Sequence, residues 1–133
     1  MKLVSKSPPY VPIKLYSPES YKKATKGELE LWTNGCGSAQ AKFDFVPDTI
    51  WFLSIKEACR IHDWMYHMGR TAEDKEEADR VFLYNMLRII NARSKSKFLK
   101  RWRCRRAHIY YTMVVWRGGP AFWDPINEAA ATT

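Results

Sequence analysis

The sequence predicts an all-α domain: two long helices in an antiparallel hairpin, a loop of glycine and cysteine before them, and a basic C-terminal helix after them. Three observations carry this prediction. Apolar residues recur at helical spacing over 55–69, 72–91 and 97–117. The first two runs open on capping patterns, Ser54-Ile-Lys-Glu57 and Thr71-Ala-Glu-Asp74. Gly69 and Gly118-Gly119-Pro120 then stop the runs and leave only short connections.

Taken in order, residues 1–16 are Pro-rich and read as irregular. Ser17-Pro18-Glu19 resembles a helix start, with serine at the cap and proline in the first turn, and a short helix to about Lys26 is expected. Asn34-Gly-Cys-Gly37 is a tight bend, and 39–50 continues as a loop around Pro47. The helix from Ile55 to Gly69 has Ala58, Ile61, Met65 and Met68 as its apolar stripe. The next, from Ala72 to Asn91, carries acids in its first turn and Arg88 near its end, and Ala78, Phe82, Met86, Ile89 and Ile90 supply its buried side. The third, over 97–117, is basic in its first half around Phe98 and Trp102, and apolar in its second through Tyr110, Tyr111, Val114 and Val115. Residues 129–133 read as a frayed tail, and the 133 residues as one domain.

Lysine and arginine together exceed the acids by eight, and the excess is concentrated at Lys95, Lys97, Lys100, Arg101, Arg103, Arg105 and Arg106, a run without an acid. Such a run favours an anionic partner, a phospholipid surface or a nucleic acid. No groove-reading motif or stacking platform supports nucleic acid, and no obligate protein partner is evident. Contact with the membrane is expected to be peripheral, because no apolar window is long enough to cross a bilayer. Lys6, Pro8, Pro9, Pro12 and Lys14 interrupt the first residues, so no signal-peptide core is expected. The expectation is synthesis in the cytoplasm, with release or delivery to a target membrane.

Three cysteines are too few for a disulfide framework. Cys36 and Cys59 can pair in an oxidising compartment, or pack as thiols, or join His62 and Cys104 around zinc, although the short paired spacings of zinc sites are missing.

The most informative stretch is Cys59-Arg-Ile-His62-Asp63-Trp-Met-Tyr66. His62 shares a helical face with Cys59 and Tyr66, while Asp63 points about 100° away. A histidine that titrates near neutrality beside a carboxylate able to hold a hard cation is equipment for metal-assisted hydrolysis. The hairpin turns near Arg70, with His62 eight residues before it and Asp79 nine after. The two therefore sit at the same height, and Asp79 is expected to meet His62 in preference to a surface pairing with Lys75 or Arg80. A carboxylate on one ring nitrogen fixes the tautomer and leaves the other to accept a proton from water. The glycine loop can offer backbone carbonyls to Ca²⁺, with Asp63 as the charged ligand.

Together, Gly35-Cys36-Gly37, Cys59-x-x-His62-Asp63-x-x-Tyr66 and the later Ala78-Asp79 resemble the secreted phospholipase A2 superfamily, in its small bacterial, phage and parvovirus-capsid types. The matching part runs from about Trp32 to Ile90. The resemblance implies Ca²⁺-dependent hydrolysis of the sn-2 acyl ester of glycerophospholipids. It makes His62 the general base, Asp79 its orienting carboxylate, Tyr66 a support for Asp79 and Asp63 the carboxylate ligand of the metal. If Cys36 matches the loop cysteine that bonds to the helix, Gly35, Gly37 and Ala39 supply carbonyls to Ca²⁺, and the Gly37 N–H helps to hold the oxyanion. Trp32, Trp51 and Phe52 would then lie at an acyl-chain entrance.

The chain also departs from that pattern. Ala58 stands where the family usually has a second cysteine, Glu77 and Ala78 precede Asp79 without flanking cysteines, and the loop lacks the fuller glycine run. Asp44 or Asp48 can serve as an additional metal ligand. The alternative is a non-catalytic basic helical module that binds an anionic membrane or nucleic acid through Lys95–Arg106. A phosphohydrolase of the His-Asp type would need more ligands than His67 and His108 provide.

Overall fold

A computed structural model of the chain describes residues 13–32 and 46–131. They are mostly helical, and none of their helices is long and apolar enough to cross a membrane. Residues 13–18 have no regular structure but are docked: buried Asn85 accepts a hydrogen bond from the Tyr16 N–H at 2.7 Å and donates one to the Tyr16 carbonyl at 2.8 Å. Such a pairing satisfies an irregular backbone that would otherwise be costly to bury.

The first helix, α1 (Glu19–Lys23), is shorter than expected, and its N-cap is Pro18 in place of the expected Ser17, with no side-chain cap bond. A second, α2 (Lys26–Trp32), replaces its predicted end. The reason lies in Thr25-Lys-Gly-Glu28: the Thr25 hydroxyl accepts from the Glu28 N–H at 3.1 Å, and the Glu28 carboxylate accepts from the Thr25 N–H at 3.0 Å. This reciprocal cap starts a new helix.

Where a loop was expected, β1 (Thr49–Ile50) and β2 (Leu53–Ser54) form a two-stranded antiparallel ribbon, Thr49 opposite Ser54 and Ile50 opposite Leu53. Its turn residues, Trp51 and Phe52, both have positive φ, 46° and 68°. Bulky residues are uncommon there, and the usual Asn-Gly signature of such a turn is absent from the sequence.

The long helices follow: α3 (Lys56–Met68), α4 (Ala72–Arg93) and α5 (Lys97–Arg117). The capping box expected at Ser54 does not form, because Ile55 is the cap and Glu57 instead accepts a hydrogen bond from the Tyr21 hydroxyl of α1. The box at Thr71 does form, with Thr71 and Asp74 satisfying each other's backbone N–H groups. Ser96 caps α5 through the Leu99 N–H at 3.0 Å. On α3 the buried face holds Ala58, Cys59, Ile61, His62, Trp64 and Tyr66; Met65 is half-buried and Met68 exposed, contrary to the predicted stripe. The expected buried side of α4 is found buried, with Asp79 and Asn85 added.

Gly118-Gly119-Pro120 does not end the helical structure. One residue, Gly118, separates α5 from α6 (Gly119–Ala131), whose Pro120 sits in the first turn, where its missing N–H costs nothing. Residues 129–131, expected to fray, continue α6, and 132–133 lie outside the described residues. The core joins Val46, Ile50 and Ile55 to Phe82, Met86, Ile89 and Ile90 of α4, with Ala107, Tyr110 and Val114 of α5 and Phe122 of α6.

Gly69 caps α3 at φ −75°, so it is not needed for a left-handed turn. It is needed for space: a Cβ there would meet the Phe122 ring at 2.6 Å and the Met65 carbonyl at 3.0 Å. Phe122 is buried and packs edge-on against Tyr66, so it has no room to retreat. Gly69→Ala is expected to destabilise by roughly 1–3 kcal/mol through overpacking, read as a lower urea midpoint with unchanged slope.

Candidate active site

Helices α3 and α4 are joined by only 69–71 and pack along one another, which fixes the relative heights of their side chains. His62 and Asp79, 1% and 2% exposed, meet between them with Nε2 of His62 2.8 Å from Oδ1 of Asp79. The Tyr66 hydroxyl, one turn after His62, donates to the same oxygen at 2.7 Å. The imidazole is held between aromatic rings, Tyr66 at 4.3 Å and Phe82 at 4.7 Å between centroids.

Lys75 occupies the other carboxylate oxygen, Oδ2, at 2.8 Å. Lys75 and His62 are not alternatives as partners of Asp79, because a carboxylate has two oxygens and each takes one. The Lys75 ammonium also lies 3.3 and 3.4 Å from the carbonyls of Val114 and Val115 near the C-terminal end of α5, where a cation is favoured. The i,i+4 spacing of Lys75 and Asp79 was visible, but the role of α5 was not.

Burial pushes the His62 pKa down, only partly offset by Asp79, so the ring is held neutral at neutral pH. For Asp79, burial works to raise the pKa, but the hydrogen bonds from His62, Lys75 and Tyr66 outweigh it and hold the carboxyl below the ordinary range. With Asp79 ionised, Nε2 of His62 is the protonated nitrogen and any general-base chemistry goes through Nδ1. Desolvation and the Asp79 charge push the Tyr66 phenol far up, so it acts as a donor only.

Both shifts have the same sign for stability. His62 ionises below its unfolded value of about 6.5, so its contribution is complete above that pH and is lost as the pH falls from there toward the folded value. Asp79 adds a second loss below about pH 4. The unfolding midpoint is therefore expected to fall between pH 7 and pH 5, and His62→Gln is expected to flatten that fall.

Asp63 is half-buried on α3, directly after His62. Gly35, Cys36, Gly37, Ala39 and Asp44 lie outside the described residues. Asp48 is half-buried before β1, and its carbonyl accepts the Ile55 N–H at 2.8 Å. Among the described residues no group of three or more His, Cys, Asp and Glu side chains could hold a metal ion. The zinc alternative fails on its donors, because Cys59 is buried and disulfide-bonded while Cys104 is a free thiol on α5. The expected partner of Cys59, Cys36, is outside the described residues.

The basic run needs one correction. Lys95, Lys97, Arg101, Arg105 and Arg106 are exposed and Lys100 is half-buried, but Arg103 is 8% exposed and faces inward. Its guanidinium donates to the Ser94 hydroxyl at 3.1 Å and to the Trp51 carbonyl at 2.7 Å, so it ties the β-turn to α5 and is not available to an anionic surface. The Trp32 side chain falls outside the described residues, whereas Trp51 and Phe52 are exposed.

Comparison of the chain with protein-family models, curated protein sequences and solved structures returned no match.

Proposed function

We propose that this chain is a Ca²⁺-dependent hydrolase of the sn-2 acyl ester of glycerophospholipids, of the phospholipase A2 type, in which His62 activates water. The observation that supports this reading is the buried network His62–Asp79–Tyr66, held between α3 and α4. Asp79 fixes the Nε2–H tautomer, Tyr66 holds the carboxylate that does so, and the neutral ring offers Nδ1 to a water proton. When the proton moves to Nδ1, the imidazolium is stabilised by the carboxylate on its far side, and return of that proton to the leaving alcohol completes the cycle without an acyl-enzyme. Asp63, with the carbonyls of Gly35, Gly37 and Ala39, would hold Ca²⁺, which would supply positive charge for the substrate phosphate and the developing oxyanion. The Gly37 N–H would be the second oxyanion donor.

The second reading, a non-catalytic basic module, draws on the exposed bases of α5 and leaves the buried network without a use. The two separate on Asp63→Asn. Hydrolysis predicts that activity collapses and that its Ca²⁺ dependence weakens or disappears, checked by titrating Ca²⁺ against initial rate. A binding module predicts no activity and lipid or nucleic-acid binding indifferent to both Ca²⁺ and the substitution.

A further inference from the structure

Helix α5 is apolar on both of its sides. Arg103, Ala107, Tyr110 and Val114 face the core. At 100° per residue, Phe98, Trp102, Arg105, Ile109 and Trp116 fall within about 40° of a single line on the opposite face, a stripe roughly 27 Å long. Phe98, Ile109 and Trp116 are 64, 50 and 81% exposed. A row of large apolar side chains in water, on a helix already anchored by its other side, marks a contact surface.

The β1–β2 turn extends this stripe. Trp51 stacks on Trp102, with ring centroids 6.1 Å apart and planes 22° apart, and Phe98 also packs edge-on against Trp102. Phe52, at the tip, is fully exposed. Its left-handed backbone suits Gly or Asn far better than phenylalanine, so a fully exposed ring at this position serves neither the turn nor the core. The bond from Arg103 to the Trp51 carbonyl holds the tip in place against α5.

Charge identifies the partner. Arg101 and Arg106 flank the stripe, Arg105 lies within it over the Trp102 ring at 5.1 Å, and no acid occurs between Asp79 and Asp124. A second copy of this face would bring arginines against arginines, which disfavours self-association. The geometry points to an anionic lipid bilayer as the occupant: α5 lies in the plane of the interface, its tryptophans at headgroup depth, Phe52, Phe98 and Ile109 below them, and the arginines reaching the lipid phosphates. The docking surface is thus a composite of the 51–52 turn and the outer face of α5, not the linear basic run. It stands on exposure and charge, independently of any hydrolytic reading.

The test uses the full chain, with chelator present to suppress hydrolysis, and vesicles of phosphatidylcholine alone or with one third phosphatidylglycerol. Co-sedimentation and quenching of tryptophan emission by brominated acyl chains are read for wild type, Phe52→Gly, Trp116→Ser and Arg101→Gln/Arg106→Gln. Wild type is expected to bind the anionic vesicles and to be quenched. Phe52→Gly and Trp116→Ser should each weaken partitioning by about tenfold. Phe52→Gly relieves the positive φ, so it should lose binding while keeping or raising the unfolding midpoint, which separates docking from folding. The arginine variant should lose the preference for phosphatidylglycerol. Absence of binding to anionic vesicles, binding unaffected by the aromatic substitutions, or tight binding of single-stranded DNA with none to vesicles would each overturn the proposal.

Discussion

His62→Gln is expected to lower the rate of ester hydrolysis by roughly 10²–10⁴-fold with little change in stability, the loss falling on kcat. Glutamine approximates the length of the imidazole, and its amide can donate to Asp79 Oδ1 in place of Nε2–H, so the buried carboxylate keeps its partner. What glutamine cannot do is accept a proton at the position of Nδ1. Because the ring sits between Tyr66 and Phe82 at centroid distances of 4.3 and 4.7 Å, the substitution also leaves a small gap, and a modest fall in the unfolding midpoint accompanies the loss of rate. Equal activity in wild type and variant would remove His62 from the chemistry.

Asp79→Ala is expected to be the most damaging single change to the fold. Asp79 accepts from His62, Tyr66 and Lys75, so its loss takes one acceptor from three donors at once. Removing one partner of a buried ionic network costs about 3–5 kcal/mol, because the groups around it stay desolvated and lose the charge that offset their burial. A domain of this size has only about 5–15 kcal/mol in total, so the variant is expected to unfold at far lower urea. Asp79→Asn should be milder in stability yet still impaired in catalysis, since its amide accepts on one side only and no longer stabilises an imidazolium. Lys75→Met tests the same network from the surface side: Lys75 is partly exposed, and a smaller loss is expected.

The contact between His62 and Asp79 was legible because two quantities fix it, the helical rise and a turn only three residues long. Tyr66 followed from its place one turn along the same face. What the sequence concealed depends on distant partners. Arg103 looks like one base among seven, yet it is buried by a bond to a carbonyl 52 residues away. Ser54-Ile-Lys-Glu57 has the form of a cap, yet Glu57 is taken by Tyr21 from another helix. The 49–54 ribbon carries aromatics where turn chemistry predicts Asn-Gly, and the contacts of its turn with α5 hold it. Asn85 reads as a polar interruption of an apolar face until residues 13–18 dock on it. Local pattern placed the long helices; tertiary pairing decided how they begin, where they break and which charges turn inward.

The most direct test of the central claim is the release of a labelled fatty acid from phospholipid carrying the label at sn-2 or at sn-1, in mixed anionic and zwitterionic vesicles, with Ca²⁺ or with chelator. Release from sn-2 alone is expected, abolished by chelator and by His62→Gln. Release from both positions, release that persists in chelator, or none from a folded protein would contradict it.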